Sequence, residues 1–384
     1  LELGHGLEID GLRLALQAAD PDGNPVESGR LELNGRLAPL FELEARITAL
    51  PVAVAMGWLP APLPRLTGRI DLETRLTGEP RGPFGTLSMD VRGLRYPGGL
   101  ARSLPAGELR LALRLEPPMT TIDARASVGT TSRLALDGRI GAPPFDGSAG
   151  LALDAQGQLD LGLLEPLLSQ AGRQAAGRLA LDLRIGGSLD APRVDGRVRV
   201  LEGAWRDRLL GLILTDITGA LRLAGDELLI EGLSARADPG TLTLSGRLGW
   251  LQPSQPVDLR LSARNASPFQ LDRLQLQGDA DLRLQGNLPE GRALSGSARF
   301  QRIDLRIPER FPVTIATLEV EEVGERRQPP RRARRSGSAT TVARSGSVGA
   351  IALDLALSAP QAITVRGRGV DALLGGDISI QGTL

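Results

Sequence analysis

The sequence predicts an all-β protein: an elongated, repetitive, strongly curved and mainly antiparallel sheet that forms an open groove, with one or two short helices. Three observations carry this. Apolar and polar residues alternate along most of the chain, as in Leu109-Arg110-Leu111-Ala112-Leu113-Arg114-Leu115, the period of a strand that buries one face. With 48 Gly and 27 Pro, about one residue in five is a turn-former, a density that suits many short connections and few long helices. A short pattern also recurs: an apolar residue, a spacer, glycine, arginine or a small residue, then another apolar residue.

The alternation runs along the whole chain. It is clearest in Leu109–Leu115, Leu179–Ile185, Leu259–Leu261, Asp281–Leu284, Ile303–Ile307, Ile351–Leu355 and Ile378–Ile380. The glycine pattern appears as Leu33-Asn34-Gly35-Arg36-Leu37, Leu66-Thr67-Gly68-Arg69-Ile70, Leu136-Asp137-Gly138-Arg139-Ile140, Val194-Asp195-Gly196-Arg197-Val198 and Leu244-Ser245-Gly246-Arg247-Leu248. Its apolar residues stand four apart with glycine midway, so all three fall on one face. Two readings of these glycines are compatible: bulge or curvature points that bow a wide sheet, and places where the apolar face is locally thin.

Three segments break the rhythm. Ala49–Pro64 carries Pro51, Pro60, Pro62 and Pro64, is too short and interrupted to span a bilayer, and reads as a surface or capping element. Asp160–Gln174, with Leu161, Leu163, Leu164, Leu167 and Leu168, reads as a short amphipathic helix interrupted by Pro166. Glu325–Ser347 is rich in Arg, then in Ser, Gly, Thr and Ala, and reads as a disordered loop between strands.

About 24 strands of five to eight residues fit this pattern, joined mostly by short turns that favour antiparallel neighbours. So few helices leave the sheet to cover its own apolar face, as a sandwich, a closed barrel, a solenoid or a strongly bent sheet, and the repeat favours an extended form with units stacked along one axis, about 115 Å for that many strands. Residues 1–384 are therefore expected to form one continuous groove. Aromatics are only 3% of the chain, so the groove lining is aliphatic. The inward positions are Leu109, Leu111, Leu113, Leu181, Leu183, Ile185, Leu259, Leu261, Leu282, Leu284, Leu305, Ile307, Leu353, Leu355, Ile363, Val365, Ile378 and Ile380. Such a surface either packs dry on itself or accepts lipid tails, at about 0.8 kcal/mol per buried methylene.

Composition excludes several function classes. The 45 basic and 45 acidic residues cancel, so no net field steers the protein to nucleic acid or anionic membrane. Without Cys and with His5 as the lone histidine, disulfides, thiolate nucleophiles and transition-metal sites have no ligands or partners. Gly367-Arg368-Gly369 lacks the third glycine and the helix of a dinucleotide site, and the Asn265-Ala266-Ser267 sequon says little by itself. Acidic residues alternate with Leu as a solvated outer face does, with no acid/base pair in evidence. The expectation is a protein with no catalytic residues, metal or cofactor, and not an enzyme. The chain starts and stops inside strand-like pattern and reads as an internal piece, with any membrane anchor outside it.

The stretch Pro360-Gln361-Ala362-Ile363-Thr364-Val365-Arg366-Gly367-Arg368-Gly369-Val370-Asp371-Ala372-Leu373-Leu374-Gly375-Gly376-Asp377-Ile378-Ser379-Ile380-Gln381-Gly382-Thr383 closely resembles the signature of the TamB family of bacterial translocation and assembly module subunits. Arg306-Ile307-Pro308-Glu309-Arg310-Phe311-Pro312 and Gly187-Ser188-Leu189-Asp190-Ala191-Pro192-Arg193-Val194-Asp195-Gly196 are similar to it as well, so the likeness runs over about residues 150 to 384. Residues 1 to 149 share only the style of repeat. The resemblance implies a taco-like periplasmic β structure related to AsmA-like bridge proteins in a Gram-negative envelope. Its greasy trough would carry phospholipids between inner and outer membranes, in partnership with a TamA-like outer-membrane barrel through regions outside this piece. A different class of function is an assembly factor whose exposed strand edges template outer-membrane or secreted β-proteins.

Overall fold

In the computed structural model the alternating segments are strands almost throughout: 80% of the structure is strand and 6% helical, leaving too little helix to cover a sheet from outside. The structure describes residues 8–19, 25–36, 41–56, 66–79, 82–96, 98, 102–141, 147–271, 273–307 and 350–383. Twenty strands, from β1 (Glu8–Ala19) to β20 (Val370–Thr383), form one long, open, curled sheet. Each strand pairs with the next in sequence, except that the two-residue β16 (Gln270–Leu271) lies beside the ladder, leaving β15 (Pro256–Ala266) to pair with β17 (Leu274–Asn287). All pairs are antiparallel but one: β18 (Gly291–Arg306) and β19 (Ala350–Gly367) run parallel. The expected loop at 325–347 and the lone His5 lie outside the described residues.

The strands are fewer and longer than the sequence pattern suggests. Apart from β16 they run from 10 to 18 residues, because the repeat glycine does not end a strand but sits inside one. Gly196 lies in β11 (Pro192–Asp207), with continuous pairing to Leu183 on one side and Leu223 on the other. Its φ of 141° is open only to glycine, and a Cβ there would run into the carbonyl oxygen of Asp182 on the neighbouring strand. Gly246, in β14 (Gly240–Gly249), repeats this with φ 137° against the carbonyl of Asp258. These glycines therefore bend the strand while the ladder stays intact, which is curvature without a bulge. At about 4.8 Å per strand the ladder without β16 spans about 86 Å, shorter than the 115 Å read from the sequence.

The helical segments fall where proline and leucine interrupt the alternation. Val52–Met56 forms the five-residue helix α1, inside the proline-rich element. Between β9 (Gly150–Asp160) and β10 (Arg173–Ser188), Leu161–Leu164 and Ser169–Ala171 are 3-10 turns flanking the four-residue helix α2 (Glu165–Leu168). The Asp160 carboxylate accepts the Gly162 N–H at 2.8 Å and starts the first turn, and Gly172 ends the last in the left-handed conformation. Pro166 sits at the start of α2, where no N–H is needed.

The dry interior is small. Only 13 apolar residues are buried among those described, and seven of them are alanines, so no globular core accounts for the aliphatic composition. Ala237, Ala263 and Ala266 make one cluster, flanked by Leu214, Leu242 and Ala280. The connection from β15 to β17 folds back over it: Ser267 N–H donates to the Ala237 carbonyl (3.0 Å), and Ile213 N–H to that of Pro268 (2.9 Å). Beside it Asp207, only 3% exposed, accepts the N–H groups of Leu209 (3.0 Å) and Leu210 (3.1 Å) and pairs with Arg173 at 3.0 Å. The Leu210 N–H above all, then Arg173, hold its carboxyl below the ordinary carboxylate range.

Candidate functional site: the aliphatic face

Directly opposed residues in a ladder share a face, so the strand register decides which side chains lie together. One transverse row starts at Leu14 and passes through Leu31, Ile47, Leu72, Met89, Leu111, Ala124, Leu136, Ala155, Leu183, Gly196, Leu223, Leu228, Leu248, Val257 and Gly286, before Arg292 and Ile351. A second, two residues along, runs Val91, Leu109, Ala126, Leu134, Gly157, Leu181, Val198, Leu221, Ile230, Gly246, Leu259, Leu284, Leu294, Leu353 and Gly382. Across the width of the sheet these rows hold a single charged side chain.

The positions read from the sequence fall on these rows or beside them. Leu109, Leu181, Leu259, Leu284 and Leu353 share the second row, and Leu111 and Leu183 the first. Leu113 and Ile185 lie two residues further along their strands. Leu261, Leu282, Leu355 and Ile380 share another row, in which Gly296 joins Leu282 to Leu355. Leu305 opposes Val365, Ile363 opposes Ile303, and Ile307 donates its N–H to the Arg366 carbonyl at 2.8 Å. Most of these side chains are half-buried. Leu305 (40%), Ile378 (61%) and Ile380 (36%) are exposed; the last two lie on β20, which among the described residues pairs with β19 alone.

The opposite face is ionic. Arg46–Glu73 (2.9 Å), Arg75–Glu44 (2.9 Å), Arg264–Asp281 (3.0 Å) and Arg283–Asp258 (2.8 Å) are cross-strand pairs, with Arg92–Asp71 nearby. The hydrogen bond from Arg283 lowers the Asp258 pKa, and that from Arg264 lowers the Asp281 pKa. Pairs this exposed contribute little to stability, but they keep this side wet. A cleft of about 1000 Å³ opens here, lined by Arg110, Arg125, Arg133, Arg178 and Arg199 together with Glu108 and Asp182. Arg110 pairs with Asp90 (3.4 Å), Arg125 with Asp123 (2.6 Å) and Arg178 with Glu202 (2.7 Å). The lining thus holds five arginines and two carboxylates, with three of the arginines paired to carboxylates. Among the described residues no group of three His, Cys, Asp or Glu is placed to hold a metal, and no helix is long and apolar enough to cross a membrane.

Sequence reasoning missed parts of the rows. Leu228-Leu229-Ile230 hides its alternation in a continuous apolar run, Leu223 was not singled out, and Leu248 was named in the glycine pattern but not among the inward positions. Arg292 is in phase with Leu294, Gly296 and Ala298, a signal visible in the sequence once β18 is known to begin at Gly291.

The fold and its faces define a class: a repetitive, open, curled β-sheet protein with an aliphatic face and an ionic face. Residues 231–384 match the family described as TamB C-terminal domain, a likeness that supports a TamB-family protein. The Gly187–Gly196 stretch lies outside the matched residues. Comparison with curated proteins gives no match, and neither does comparison with solved structures.

Proposed function

We propose that this chain is a non-enzymatic segment of a periplasmic lipid conduit, carrying phospholipid acyl chains along its aliphatic face between the inner and outer membranes as part of a translocation and assembly module. The observation that carries this reading is the pair of transverse rows, which continue apolar from strand to strand instead of closing into separate cores. Each methylene that leaves water on such a surface contributes about 0.8 kcal/mol, so even a partly covered acyl chain is held. Rows of chemically similar Leu, Val, Ala and Gly also present no deep well, and a bound chain can shift from one strand to the next at low cost. Headgroups stay in water at the rims. A TamA-like outer-membrane barrel would receive the lipid.

The test is mass spectrometry of lipids that copurify with the chain after expression in a Gram-negative periplasm. The conduit reading expects phospholipid in molar excess over protein, because many strands offer equivalent surface. A chain that is folded and lipid-free would overturn it.

A second reading, an assembly factor for outer-membrane or secreted β-proteins, has one observation in its favour. On β20, Val370 (46%), Leu373 (63%), Leu374 (52%) and Ile378 (61%) are exposed along a strand that pairs with β19 alone among the described residues, the form in which one sheet recruits another strand. The rows favour the conduit, since strand templating needs an edge and not a wide apolar face.

A further inference from the structure

We propose that the cleft on the ionic face is a phosphoryl-binding site, in which Arg133 and Arg199 close from two sides on one tetrahedral oxyanion. The cleft lies across the sheet from the aliphatic rows, so the inference goes beyond the conduit reading and does not depend on it. Strand register places the groups. Arg133 on β8 (Ser132–Gly141) opposes Gln158 on β9, Gln158 opposes Ala180 on β10, and Ala180 opposes Arg199 on β11, so all four share one outward row. In the adjoining row Arg125, Ala135, Gln156 and Asp182 stand side by side.

Three features set this row apart from the solvated charge around it. Pairing lapses here: Arg110, Arg125 and Arg178 of the same cleft each hold a carboxylate, yet among the described residues Arg133 and Arg199 hold none, and the amides of Gln156 and Gln158 have no hydrogen-bond partner. Ala135 and Ala180 keep the floor low between the arginines, which leaves the cleft of about 1000 Å³ open above them. The spans also match. Three strand spacings of about 4.8 Å, about 14 Å in all, separate the two arginine backbones, and two extended arginine stems cover that distance to meet over Gln158 and Ala180. Two guanidinium groups brought together repel, so an anion between them is what lets both stems close. A planar carboxylate is satisfied by a single guanidinium fork, whereas a phosphate has oxygens enough for both forks and for the amide N–H of Gln158. Glu108 stands outside Arg133, with Ser127 between, and Asp182, two residues from Ala180, keeps a second anion off the adjoining row.

The experiment follows the arginine Nε–H signals of the full chain by NMR while inorganic phosphate is added at constant ionic strength. Arg133 and Arg199, assigned from the Arg133→Gln and Arg199→Gln variants, are expected to shift together with one midpoint. Arg260, an exposed arginine on the same face of β15, should not move. Each single variant should raise the other arginine's midpoint by about fivefold, the scale of one exposed charge pair. Acetate should be needed at a concentration at least about fivefold higher than phosphate. Separate midpoints, a midpoint unchanged in the single variants, or an equal response to acetate or at Arg260 would overturn the site. Two further arms identify where the phosphoryl group comes from. Saturation by glycerol phosphate without binding to phosphatidylglycerol vesicles assigns it to a soluble phosphate ester; vesicle binding that is lost in the double variant Arg133→Gln, Arg199→Gln assigns it to a lipid headgroup. The conduit stands or falls separately, on the lipid held by the opposite face.

Discussion

Leu183→Arg should lower phospholipid occupancy of the row around β10 by at least about tenfold while the protein stays folded. Leu183 lies inside the first aliphatic row, with Ala155 and Gly196 as its cross-strand neighbours. Both neighbours are small, so the longer side chain has room, and the sheet is not forced apart. The guanidinium, however, has no acidic partner in the row and must keep its water. An acyl chain passing over it then loses the burial of at least two methylenes, about 1.6 kcal/mol at 0.8 each, which is more than a factor of ten in occupancy. The matched control is Asp182→Arg, one residue away on the ionic face, where lipid binding should not change. Undiminished lipid on a folded Leu183→Arg chain would show that the row is not the path.

The second large effect is on stability. Gly196→Ala should destabilise the sheet by about 2–4 kcal/mol in urea unfolding, summing the strain of a positive φ with the shift needed to free the new Cβ from the Asp182 carbonyl. Because β10 and β11 must separate to relieve that contact, the loss should be felt on both flanking strands. Gly150, whose surroundings are open to a Cβ, is the control, and Gly150→Ala should change stability by less than about 0.5 kcal/mol. Equal effects at the two glycines would remove the argument that the repeat glycine sets the bend.

How much of this was legible follows from what a residue pattern encodes. Period two fixes which face a side chain takes within one strand, so Leu181, Leu183 and Ile185 could be placed on one side before any coordinates. It carries no register between strands. That Leu183 meets Gly196, and Gly196 then Leu223, depends on turn lengths and on the bulges that shift the ladder, such as the one between Val200 and Gly203. The strand count came out high for a related reason: glycine usually punctuates, and only its backbone angle shows that at Gly196 the strand continues. The parallel pairing of β18 with β19 defeats the rule that neighbours in sequence run antiparallel, since residues 308–349 intervene where most connections are short. Arg292 was passed over because one arginine in a chain with 45 basic residues draws notice only when its row is known to be apolar.

The measurement that bears most directly on the central claim is photocrosslinking from two adjacent positions on opposite faces. A benzophenone amino acid replaces Leu183 in one variant and Arg184 in another, and a third variant carries it at Asp377 on the β20 edge. The account predicts phospholipid adducts from position 183, few or none from 184, and no client polypeptide trapped at 377. Equal lipid labelling from 183 and 184, or polypeptide adducts at 377 with lipid absent from 183, would contradict it.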